Sequence, residues 1–172
     1  MIVREVAFGL GGNIGDTASV LRTAFRQLAA SPLLSGLTLS PLWRTPPWGK
    51  TDQDWFVNAV AVGYSAADPM DLLALGLGIE TAMGRVRAER WGPRRIDIDL
   101  LYVGDLVMDV PGLALPHPRM TERGFVIAPL ADLRPDRVLA GRTARDRAGD
   151  FAADRMERIM DDVPARVAAS RG

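Results

Sequence analysis

The chain has 172 residues, a length that suits one domain with a sizeable core and argues against a second large one. Hydrophobic residues make up 48% and charged residues 24%, which excludes disorder and coiled-coil organisation; 21 basic side chains balance 21 acidic ones, so no global field draws the chain to nucleic acid or an anionic membrane. With no cysteine and one histidine, disulfides, zinc–thiolate sites, thiol catalysis and multi-histidine metal centres are excluded too.

In chain order, Val6, Phe8 and Leu10 alternate over residues 5–10 and run into Gly11-Gly12-Asn13-Ile14-Gly15-Asp16, which predicts a strand ending in a tight loop. Asp16 or Thr17 can cap the helix predicted over 17–30 by the spacing of Leu21, Ala24, Phe25 and Leu28, with Ser31-Pro32 as its stop. A strand near 36–43, a Pro/Gly-rich loop over 45–52 and a second alternating strand over 55–64 follow. Asp68-Pro69 opens a helix that places Met70, Leu73, Leu77 and Glu80 in line and ends near Gly84. Residues 95–103 read as a strand, Gly104-Asp105 as a turn and 106–108 as the return strand; a helix is predicted around 121–131. The division is a main domain over 1–138 and a helical tail over 139–172, part of the same domain or appended, with Met156, Ile159, Met160 and Val163 as a thin apolar stripe. Strand–helix–strand–strand–helix–strand is the pattern of an α+β sandwich with a largely antiparallel sheet. The start has neither a basic region followed by an apolar one nor a run approaching the ~18 apolar residues of a membrane span, so a cytoplasmic location is the default expectation.

The segment Arg94-Arg95-Ile96-Asp97-Ile98-Asp99-Leu100-Leu101 is the most informative. A period of two puts Ile96, Ile98 and Leu100 on one face and both carboxylates on the other, about 6.5–7 Å apart at the backbone. Aspartate is a poor strand former, so a pair in an Ile/Leu strand points to a hard cation, Mg²⁺ before Ca²⁺; the bland alternative is the solvated face of an edge strand. Just upstream, Arg85, Arg87, Arg90, Arg94 and Arg95 face only Glu89, a net charge of +4 over 85–95. An arginine loop beside paired carboxylates suits phosphoryl transfer, although it also suits an ion-pair network or a nucleic-acid surface. The Gly-rich turn lacks the Lys-Ser/Thr of a P-loop and, with Ile14, the third glycine of a dinucleotide fingerprint, so it reads as a shaped turn. Trp48, Trp55, Phe56 and Phe125 are either core or the walls of a slot for a flat ring. His117, between prolines, reads as a rigidly placed hydrogen-bonding group that could also act as a base.

Together with Trp43-Arg44-Thr45-Pro46-Pro47-Trp48-Gly49, Phe56-Val57-Asn58, Arg85-Val86-Arg87, Arg90-Trp91-Gly92-Pro93 and Pro116-His117-Pro118, these segments resemble the 6-hydroxymethyl-7,8-dihydropterin pyrophosphokinases of folate biosynthesis over about residues 6–135. The resemblance implies a ferredoxin-like sandwich that transfers the terminal diphosphate of ATP to the pterin hydroxymethyl group and releases AMP. It implies Asp97 and Asp99 as ligands of two Mg²⁺ ions, and Arg85 and Arg94 as catalytic loop arginines. It implies ATP contacts from Arg87, Trp91, Arg94, His117 and Arg123, with Leu100 beside the adenine and Glu80 nearby. The pterin slot it implies comprises Thr45, Pro46, Trp48, Phe56, Asn58 and Phe125.

Leu77, Gly112 and Gly12 depart from the family pattern, where glutamine, arginine and serine are found, and the loop before Arg90 is one residue shorter than in some relatives. The expected partners are small molecules only, without nucleic acid or membrane, and the expected state is a monomer. The alternative from another class is a non-catalytic ferredoxin-like module whose arginine loop binds RNA or another polyanion.

Overall fold

The computed structural model describes residues 1–84 and 91–159. Strand β1 (Arg4–Gly12) leads into α1 (Thr17–Ala29), whose N-terminus is capped by Asp16 through the Ser19 amide at 3.3 Å. Leu21, Ala24, Phe25 and Leu28 form its buried stripe, as their spacing predicts. Each large apolar side chain buried there contributes on the order of 1.5–3 kcal/mol.

The strand expected over 36–43 is two strands, β2 (Ser35–Leu39) and β3 (Trp43–Thr45), both antiparallel to β4 (Phe56–Ser65). Pro41 has no amide for a continuous ladder, and Ser40 bridges the break: its amide donates to the Val60 carbonyl at 2.8 Å and its hydroxyl accepts from the Val60 amide at 2.9 Å. Helix α2 (Pro69–Ala82) starts as expected, with Asp68 accepting from the Met70 amide at 2.8 Å. Its buried face differs from the predicted line: Leu72, Gly76, Ile79 and Glu80 are buried, whereas Met70 and Leu77 are exposed. Gly76 sets this rotation, because a Cβ there would press against Ile98 in the next strand, and its absence lets α2 sit low on the sheet.

Strand β5 (Asp97–Val103) pairs with the free side of β1 and is an edge of the sheet. The return strand expected at 106–108 does not pair with β5. Val107 is exposed, and β6 (Met108–Val110) instead forms a separate hairpin with β7 (Leu113–Leu115). The helix expected around 121–131 is a 3-10 turn at Met120–Glu122 followed by α3 (Gly124–Leu133).

The helical reading of the tail is corrected over its described part. Residues beyond 138 form a short hairpin, β8 (Val138–Leu139) and β9 (Arg142–Thr143), a short helix α4 (Ala144–Gly149), and β10 (Glu157–Arg158). Met156 and Ile159 flank that strand; Met160 and Val163 lie outside the described residues. The tail joins the main body: β10 pairs with β3, Leu139 and Ala144 are buried in the core under α3, and Phe151 packs against it.

The sheet order is β10-β3-β4-β1-β5, with β2 also on β4, and all its pairings are antiparallel. One face buries Phe8, Leu10 and Ile98 against α1 and α2; the other buries Val60, Val62 and Leu101 against α3. The βαββαβ core is a ferredoxin-like α+β sandwich with an extra layer. Among the described residues, no helix is long and apolar enough to cross a membrane.

Candidate active site

Because β4 and β5 are antiparallel to β1, the end of β1 meets the starts of β4 and β5, and the start of α3 flanks this end of the sheet. A cavity of about 660 Å³ lies there. Every expected site residue within the described segments lines it: Asp97 and Asp99; Glu80, Trp91, Arg94, Leu100, His117 and Arg123; Thr45, Pro46, Trp48, Phe56, Asn58 and Phe125. Arg85 and Arg87 lie outside the described residues. Trp55 is not part of the cavity; the guanidinium groups of Arg44 and Arg155 stand 5.2 and 5.6 Å from its ring.

Alternation along β5 sends Ile98 and Leu100 into the α1/α2 core and leaves the two aspartates half-buried on the cavity side. Arg94 donates to Asp97 at 2.7 Å, and Arg123 stands 4.0 Å from Asp99. Burial, and then neighbouring Arg119, push the Arg123 pKa down against the opposing pull of Asp99; its buried Nε has no hydrogen-bond partner among the described residues. An orphaned cationic donor beside carboxylates suits an incoming anion.

The edge of β5 gives the cavity a second arm, between α2 and the β6–β7 hairpin. Glu80, buried on α2, accepts from the Ile98 amide at 2.7 Å. Since strand amides alternate, the Leu100 amide points the same way, away from β1, and Leu73, Leu77 and Ala114 are among the residues of the cavity wall. A register shift near Ala7 leaves Leu101 bulged, and its carbonyl accepts from the His117 amide at 2.7 Å. This fixes His117, whose Nδ1 accepts from the Arg119 amide at 3.2 Å, so its proton is assigned to Nε2. Burial, then Arg123, holds the His117 pKa below its ordinary 6.5.

In the other arm, Asn58 donates through Nδ2 to the Thr45 hydroxyl at 2.8 Å, a buried contact that leaves the rest of the Asn58 amide for a ligand's polar edge. Phe56 and Phe125 supply rings beside it, and Trp48 and Trp91 meet edge-to-face with centroids 4.8 Å apart.

The family model of 7,8-dihydro-6-hydroxymethylpterin-pyrophosphokinase (HPPK) matches residues 7–135. The chain belongs to the HPPK family. A relative from Methylorubrum extorquens, named 2-amino-4-hydroxy-6-hydroxymethyldihydropteridine pyrophosphokinase, is 48% identical over 152 residues, covering 88% of this chain and 96% of its own. A Pseudomonas aeruginosa relative of the same name is 39% identical over 135 residues, covering 78% and 83%. Among solved structures, Plasmodium falciparum HPPK-DHPS matches the fold with a TM-score of 0.70 at 16% identity, over 88% of this chain; the present chain spans 46% of that one.

Within this HPPK fold, three loops meet at residues that the sequence reading did not single out for a role. Asn13 accepts from the Arg94 amide at 2.9 Å and donates to Gln53 Oε1 at 3.0 Å and the Asp54 carbonyl at 2.9 Å, while Gln53 donates to the Trp91 carbonyl at 2.7 Å. Gly12 permits this convergence, since a Cβ there would collide with the Arg95 carbonyl. Arg119 was also passed over, although its guanidinium stands 5.8 and 5.3 Å from the Trp48 and Trp91 rings. Its place beside the only histidine was the available clue.

Proposed function

We propose that the protein transfers the terminal diphosphate of ATP to the hydroxymethyl group of 6-hydroxymethyl-7,8-dihydropterin, acting as a monomer in the cytoplasm. The observation that carries the reading is one cavity joining a carboxylate–arginine cluster to an aromatic slot on one side and an open strand edge on the other. Asn58 and the rings of Phe56 and Phe125 would hold the flat pterin, and the Leu100 backbone the adenine edge.

Asp97 and Asp99 fit Mg²⁺: they are hard oxygen donors, and the described residues hold no cluster of three or more candidate ligands, so phosphate oxygens and water would complete the coordination. Magnesium would supply charge neutralisation on the phosphates. In the reaction the pterin hydroxyl oxygen bonds to the β-phosphorus. The bond from that phosphorus to the α,β-bridging oxygen breaks, AMP leaves with the electron pair, and the hydroxyl proton passes to water. Arg94 and Arg123 stabilise the charge on the transferred group, and neutral His117 donates from Nε2 to a phosphate oxygen. No side chain serves as an obligate base.

Incubation with ATP, Mg²⁺ and the pterin should release AMP only when the pterin is present. Release of ADP would overturn the reaction class. No observation favours the polyanion-binding alternative, since Arg94 and Arg123 line the cavity.

A further inference from the structure

The far side of the aromatic slot is covered by the tail. Thr45, Pro46, Trp48 and Phe125 line the main cavity and also a second one of about 360 Å³, whose other wall includes Asp154, Arg155 and Met156. These slot walls thus have a face towards each cavity.

Four contacts tie the tail to the elements that carry the walls. Strand β10 pairs with β3, register Glu157↔Arg44 and Arg158↔Trp43, and the Ile159 amide donates to the Leu42 carbonyl at 2.8 Å. Arg158 bonds Asp132 of α3 and stacks 5.0 Å over Trp43, whose indole also donates to Asp132 at 2.8 Å. Phe151 and Asp154 pack so closely on Gly124, at the start of α3, that a Cβ there would press on both. Arg155 stacks on Trp55, which adjoins both Phe56 and the Asp54 carbonyl held by Asn13. Together they brace both sides of the slot, the 46–55 loop and the start of α3.

We infer that residues 151–159 form a strap that positions the walls of the aromatic slot, with Arg155 and Arg158 as positioning residues. The inference deepens the functional reading and rests on it for the identity of the slot's ligand. Neither arginine touches the cavity that holds the carboxylates. The strap therefore acts on the ring-binding arm and leaves the phosphate arm alone.

The test compares Arg155→Ala, Arg158→Ala and Arg155→Lys in the full chain. Hydrogen exchange should quicken over residues 46–55 in both alanine variants and stay unchanged over 97–103, and the lysine variant, which keeps a cation over Trp55, should restore it. The KM for the pterin should rise about two- to fivefold in Arg155→Ala, the fold-change of a cation–π contact at an exposed site, with the KM for ATP unchanged. Unaltered exchange over 46–55 in both alanine variants would overturn the strap, as would equal weakening of pterin and ATP binding, the mark of general loosening. Faster exchange in a chain whose wild type makes no AMP would uphold the strap and defeat only the functional reading.

Discussion

The two ends of β1 and β5 carry similar chemistry put to different uses. At the end remote from the cavity, Glu5 accepts from the Tyr102 hydroxyl at 2.7 Å and from Arg134 at 2.6 Å, and Arg137 stacks 4.3 Å over the Tyr102 ring. Burial and the Glu5 carboxylate push the Tyr102 pKa well above its usual value, so the phenol stays a donor. There each side-chain oxygen of Glu5 has its partner. At the cavity end, Arg123 stands 4.0 Å from Asp99, beyond hydrogen-bond reach, and lines the cavity. A buried cation held short of a hydrogen bond costs stability, and an anion within reach of it would offset that cost. One cluster ties β1, β5 and the end of α3 together; the other lines the cavity.

Substitution should separate the two ends. Asp97→Ala or Asp99→Ala should abolish AMP release, a loss on the order of 10³-fold from removed electrostatic stabilisation, with the thermal midpoint changed little. Retained turnover in either variant would remove the metal assignment. Glu5→Ala should do the opposite: it strands the Tyr102 hydroxyl and the half-buried Arg134, destabilising the fold by about 1–3 kcal/mol, while kcat for the folded enzyme is unchanged. Denaturant midpoints with parallel kinetics check this.

The smallest effect concerns His117. Its folded pKa lies below 6.5, so below that pH the unfolded chain takes up a proton that the native state does not. Stability should therefore be lost as pH falls from about 6.5 towards the folded pKa, and level off below it. His117→Gln should remove this component, visible as a shallower fall in denaturant midpoint between about pH 7 and pH 5; identical pH profiles would show that His117 does not titrate differently in the native state.

How much was legible depended on the range of the interactions involved. Asp97 and Asp99 were legible because alternation along one strand is a property of the backbone, and the caps at Asp16 and Asp68 because they reach only two or three residues along the chain. The β5 edge deceived the reading at 106–108, since a turn at Gly104-Asp105 does not reveal that the next strand pairs with β7 instead. The tail deceived it too: a sparse stripe of Met156 and Ile159 fits a helix or a strand flank alike, and only the open edge of β3 decides.

By itself, the sequence determined the α+β class, the two capped helices, the carboxylate face of β5 and, through its motifs, the family. The tertiary structure alone decided that Asn13, Gln53 and Trp91 converge, that α2 turns Leu77 outward, and that residues 151–159 back the aromatic slot. The physical reason is separation along the chain: alternation and caps are settled by neighbours a few residues away. The Asn13–Gln53 bond joins residues 40 apart and the Trp43–Asp132 bond residues 89 apart, and these partners meet only after the sheet has fixed its register.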